Sequence, residues 1–119
     1  MSTYKILRSV LSTVTPKVYA DIVSLDAKAP YIRYALIGGK VQNTVCNTSH
    51  IDAIVPLVQI DLHAPDGAQR EQMLISLDVA IKHYNATNKG ILSLFEAPVL
   101  EYDSDTKTFK AILTYQVKA

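Results

Sequence analysis

The sequence predicts an α/β (α+β) domain, a two-layer sandwich in which two helices pack on one face of a mixed, mainly antiparallel sheet. Three observations carry this. Leu57 to Ala64 alternates, with Val58, Ile60, Leu62 and Ala64 on one side and Leu57, Gln59, Asp61 and His63 on the other. At Pro65-Asp66-Gly67 the apolar period changes abruptly from two to that of a helix. Near the C-terminus a second alternating segment follows a polar turn and reads as the return strand of a hairpin.

The elements follow in order. Thr3 is placed to cap a first helix, and Ile6, Leu7, Val10, Leu11 and Val14 recur at helical spacing until Pro16 stops it. So short a helix depends on docking its apolar stripe. Val18 to Val23 is a short β-like run, and Ala27-Lys28-Ala29-Pro30 turns the chain. Tyr31 to Ile37 reads as a strand that is apolar on both faces, as a central strand would be, and Gly38-Gly39 ends or bends it. Residues 39–56 are expected to form an extended hairpin arm or a loop, because Asn43, Thr44, Asn47, Thr48 and Ser49 favour turns.

Asp66 and Gln69 have the spacing of a capping box for a second helix, from about Ala68 to Tyr84. Its packing stripe is Met73 or Leu74, Leu77, Ile81 and Tyr84. Asn85 to Gly90 reads as a linker or stop, and Ile91 to Phe95 as either a turn of helix or a strand. Val99 to Tyr102 and Thr108 to Val117 form the final hairpin around the turn Asp103 to Lys107. Phe109, Ala111, Leu113, Tyr115 and Val117 share one face of its second strand.

Composition bounds the function. The chain has 119 residues, enough for one domain spanning 1–119, and 49% are hydrophobic, which supports a core without disulfides or metal. Twelve Lys plus Arg against 11 Asp plus Glu give a net charge of +1, with the positive residues scattered, so no phosphate-tracking stripe is expected. Stable binding to nucleic acid or membrane is not expected. The lone Cys46 excludes an internal disulfide, and the N-terminus lacks a signal-like apolar run, so an intracellular product is expected.

The chemistry-bearing residues are few. Cys46, His50 and Asp52 are the tempting cluster, but a nucleophile needs a base within hydrogen-bond reach and a third group to orient it, and structural zinc commonly needs four ligands. Ordinary loop residues are the expectation there. Asp61 and His63 share a strand face that is expected to be solvated. Asp103 and Asp105 lack the distal acid of a calcium loop, and Gly38-Gly39 lacks the surroundings of a nucleotide site. The acceptor pattern Asn47-Thr48-Ser49 carries little weight without a secretion signal. No catalytic, cofactor-binding or metal-binding residue is therefore assigned, and no cofactor is expected.

Several segments together carry a resemblance. They are the first helix with Val18-Tyr19-Ala20-Asp21, Ala29-Pro30-Tyr31-Ile32-Arg33-Tyr34, Val58 to Ala64, the helix bearing Arg70-Glu71-Gln72, and the closing hairpin. The pattern resembles the small tail-completion, or tail-terminator, proteins of tailed bacteriophages and prophages. Pro30-Tyr31 corresponds to that family's Pro-Tyr strand start, and Leu57 to Ala64 to the strand feeding its long helix. The resemblance implies a ring, commonly hexameric, at the head-proximal end of the tail tube. It also implies a tail-tube protein and a head-completion or connector protein as partners, and no enzyme activity. Such a protein would reside in the host cytoplasm during assembly and then in the virion tail. Two alternatives stand beside it. One is a small bacterial enzyme or metal-binding protein using Cys46, His50 and Asp52, and the other is a dimeric regulatory domain that binds a small ligand between subunits.

Overall fold

The computed structural model of the protein describes residues 3–23, 27–42, 53–88 and 91–117. Along the chain run α1 (Thr3–Leu11), β1 (Val18–Ala20), β2 (Tyr31–Gln42), β3 (Ala53–Ala64), α2 (Gly67–Asn88), β4 (Leu92–Asp103) and β5 (Thr108–Val117). The five strands form one sheet in the order β1-β2-β3-β5-β4, with β1 parallel to β2 and every other pairing antiparallel. Both helices pack against this sheet. The predicted architecture and element order therefore hold.

Alternation explains the core. The side chains of Ile32 and Tyr34 on β2, Val58, Ile60, Leu62 and Ala64 on β3, and Ala111, Leu113, Tyr115 and Val117 on β5 are all buried. Cross-strand register aligns them, with Ile32 opposite Leu62 and Leu62 opposite Ala111, so they make one continuous apolar face. Ile6, Leu7, Val10 and Leu11 of α1 and Met73, Leu77 and Ile81 of α2 close over it. Asp66 caps α2 as expected, its carboxylate accepting from the Gln69 amide at 2.7 Å. Thr3, expected as the cap of α1, is instead the first residue of that helix.

Three of the boundaries that differ from the sequence reading have a local reason. β1 stops at Ala20 because Asp21 takes a left-handed φ of 61°, which a strand does not accommodate. β2 runs on past Gly38, whose φ of 147° and register shift against Leu36 mark a bulge, so the glycine bends the strand without ending it. The α2 helix reaches Asn88 because its polar end residues bond back to the preceding turn. Thr87 Oγ1 donates to the His83 carbonyl at 3.1 Å and Asn88 Nδ2 to the Tyr84 carbonyl at 3.0 Å.

Asn85 makes the next connection. Its side chain donates to the Leu92 carbonyl at 2.6 Å and accepts from the Leu92 amide at 2.8 Å. This pairing ties α2 to the first residue of β4 and resolves Ile91 to Phe95 as strand from Leu92. β4 then continues through Pro98 by two register shifts, between Leu94 and Glu96 and between Glu96 and Val99. An edge strand tolerates a proline that an internal strand would not.

The β2–β3 hairpin forms an arm. β5 pairs with β3 only from Leu57 to Ala64, whereas the β2–β3 ladder continues from Gly38 opposite Leu57 to Gln42 opposite Ala53. The expected arm at 39–56 is thus paired hairpin on both sides of residues 43–52, which lie outside the described residues.

Candidate functional site

The sheet face away from the helices carries a belt of polar and aromatic side chains set by strand register. On β2, Tyr31 and Arg33 stand opposite His63 and Asp61 of β3. Arg33 Nη1 donates to Asp61 Oδ2 at 3.0 Å, and its Nε donates to the Asp21 carbonyl at 2.6 Å, so one guanidinium links the end of β1 to β3 across β2. Gln59 Nε2 donates to the other Asp61 oxygen at 2.9 Å. Both carboxylate oxygens are thus engaged, which accounts for a charge that is only 3% exposed.

His63 lies beside this pair and is 6% exposed. Its ring stacks on Tyr31 at 4.4 Å between centroids, with 14° between planes, and Tyr31 meets Tyr19 edge-on at 6.0 Å. Nδ1 shares a hydrogen bond of 3.1 Å with the Thr108 hydroxyl, which in turn bonds Thr106. Burial pushes the imidazole below its ordinary value of 6.5, and Lys110 adds to this while Asp61 and Asp103 oppose it. The expected solvated face is therefore corrected. Asp61 and His63 are buried in separate hydrogen-bonded groups, and Asp61 offers a partner almost no accessible surface.

A pH dependence follows from His63. Because the imidazole binds its proton less well when folded, the unfolded chain takes up more protons as pH falls through about 6.5. Stability contributed by neutral His63 is fully present above that pH and is lost progressively on acidification toward the lower folded-state value. Urea unfolding at a series of pH values should show this slope in the native protein and a flatter one in His63→Phe. An equal slope in both would assign the dependence to other groups.

Elsewhere, a groove of about 610 Å³ runs between α1 and α2, lined by Val10, Thr13, Ile75, Val79, His83 and Tyr84 among others. Among the described residues its lining includes no Asp, Glu, Lys or Arg. Among the described residues, no group of three or more His, Cys, Asp or Glu is placed to hold a metal ion. Cys46, His50 and Asp52 lie outside the described residues. Cys46→Ser is expected to leave solubility, thermal stability and assembly unchanged. Loss of a stoichiometric metal, or of a measured reaction with the fold intact, would overturn that expectation.

An uncovered apolar feature among the described residues is β4. Among the described residues β4 lies at the sheet margin with only β5 as a strand neighbour. Leu94, Phe95, Val99, Leu100 and Tyr102 are each 40–54% exposed. Its inner attachments are modest. Arg70 lies 5.6 Å from the Phe109 ring centre and donates to the Glu101 carbonyl at 3.4 Å, Tyr102 packs edge-on against Phe109, and Lys110 pairs loosely with Glu101 at 3.7 Å. The sequence segment 99–102 had suggested a strand, but its position at the margin is a property of strand order. Arg33 and Thr108 likewise became recognisable as part of a polar belt only through register. Compared with known proteins, the chain matches no family model and no curated protein.

Proposed function

We propose that this chain is a structural assembly subunit resembling phage and prophage tail terminators. It works as a closed homo-oligomer, a hexameric ring that caps the tail tube at its head-proximal end. The observation that supports this reading best is the long, apolar, unpaired margin along β4. Exposed strand edges of this kind are normally blunted or covered, since each unpaired amide and carbonyl invites another strand. The β2–β3 arm supplies a second projecting surface.

In this reading one face of the ring meets the last ring of tube protein, and a different opposite face stops further addition and receives the head-completion or connector protein. Subunits related by one rotation axis can match a tube of similar symmetry, and modest contacts repeated around the ring reinforce one another. The work is done by surfaces, with no covalent step and no cofactor, first in the host cytoplasm and then in the virion. Deleting the chain from a producing phage or prophage should give tails of irregular length and heads that fail to join. Normal tail length with normal head joining would reject the role.

A further inference from the structure

We infer that His63 is a proton-operated latch on the turn between β4 and β5. Taking up a proton, its ring gives up Thr108 and frees residues 103–107 while the rest of the sheet stays folded. The latch operates in the single subunit, whatever the chain assembles with.

Register brings its parts together. Tyr31, His63, Lys110 and Glu101 form one row across β2, β3, β5 and β4. The β3–β5 ladder ends at Ala64 opposite Phe109, so Thr108 and the turn lie past the last backbone partner on β3. The bond of 3.1 Å between His63 Nδ1 and the Thr108 hydroxyl carries the attachment beyond that point. Thr108 is 5% exposed, and its hydroxyl passes the tie on to the Thr106 hydroxyl at 2.7 Å. Within the turn the Asp103 carboxylate accepts from the Asp105 amide at 3.0 Å and from the Thr106 amide at 3.4 Å. Lys107 closes the turn at a left-handed φ of 56°, which costs a lysine more than a glycine. One line of hydrogen bonds thus runs from the imidazole through two hydroxyls into the turn.

The surroundings favour an uncharged ring. From β2 it meets Tyr31 and, nearby, the Arg33 guanidinium, with Tyr19 of β1 edge-on to Tyr31. β5 brings Lys110, to which Glu101 of β4 is paired, while the turn brings Asp103 and β3 itself brings Asp61. Each carboxylate is already engaged: Asp61 with Arg33 and Gln59, Asp103 with its own turn, and Glu101 with Lys110. Among the described residues His63 forms no ion pair. A proton taken up in place therefore makes a buried cation near two others. Outward rotation of the ring hydrates that charge and gives up the Thr108 bond and the Tyr31 stack. The closed latch is favoured above about pH 6.5, the ordinary value that the freed ring recovers, and opens as pH falls toward the lower closed-state value. The opening equilibrium gains at most about tenfold for each pH unit between those two values.

Nuclear magnetic resonance of the native protein tests this from about pH 8 to pH 5. The ring protons follow the titration of His63, and backbone order parameters follow the turn. Residues 103–107 should be ordered at the alkaline end, near the ~0.85 of rigid backbone, and fall toward ~0.6 with a midpoint that matches the ring and lies below about 6.5. Ile60 and Leu62 should stay rigid throughout. In Thr108→Val the turn should be loose at every pH while the ring still titrates, and Thr108→Ser, which keeps the hydroxyl, should restore the transition. A native turn that stays rigid while His63 titrates would overturn the latch. So would a turn that is as rigid in Thr108→Val as in the native protein. Loss of order in Ile60 and Leu62 together with the turn would also overturn it, because the event would then be unfolding of the whole sheet.

Discussion

Leu77→Ala should lower the unfolding free energy by about 2–5 kcal/mol, with the upper half of that range expected. Leu77 is 0% exposed and sits between Met73 and Ile81 on the one buried stripe of α2. That stripe rests on β3 and β5, where Val58, Ile60, Leu62 and Leu113 are themselves buried. These neighbours are held by sheet register and by one another, so they cannot collapse fully into the space of a lost isobutyl group. The cost therefore combines lost apolar transfer with an unfilled cavity. Urea unfolding should show an earlier midpoint with an unchanged slope. Val79→Ala, on the same helix at 61% exposure, provides the control and should change stability by no more than about 0.5 kcal/mol. A Leu77→Ala effect as small as the control would contradict the packing of α2 described here.

Arg33→Met should cost about 2–3 kcal/mol, somewhat below the ~3–5 kcal/mol typical of stranding one member of a fully buried ion pair. The reduction reflects an arginine side chain 31% exposed and a Gln59 amide that still serves one Asp61 oxygen. Most of the cost comes from the carboxylate left behind at the centre of the sheet. Coupling with Asp61→Asn separates this from simple loss of contact. Removing both charges should be less damaging than the sum of the single changes by about 0.5–3 kcal/mol, because neither partner is then left buried and charged. Strict additivity of the two substitutions would show that Arg33 and Asp61 act independently.

Local pattern carried the fold well for identifiable reasons. The β3 alternation and the helical spacing of Ile6, Leu7, Val10 and Leu11 are direct images of one-sided burial, so both appear in sequence and structure alike. The capping spacing of Asp66 and Gln69 is equally local. What escaped the sequence depended on non-local partners. The Asn85 side chain reads as a helix stop until its pairing with Leu92 is seen. Asp61 and His63 look like solvent-facing polar residues until Arg33, Gln59, Tyr31 and Thr108 are brought to them by register. The place of β4 at the sheet margin is not legible in the sequence, because local pattern does not give strand order.

The same distinction bears on function. Strand order is what places β4 and its exposed apolar residues at the sheet margin. The account therefore stands or falls on association at a tube end. The most direct measurement is electron microscopy of tail tubes incubated with the purified protein, with the mass of the bound species determined in parallel. The account predicts one closed ring of copies at a single end of each tube, and no further tube growth from that end. Tubes that keep bare, extending ends, or that carry only monomers of the protein, would contradict it.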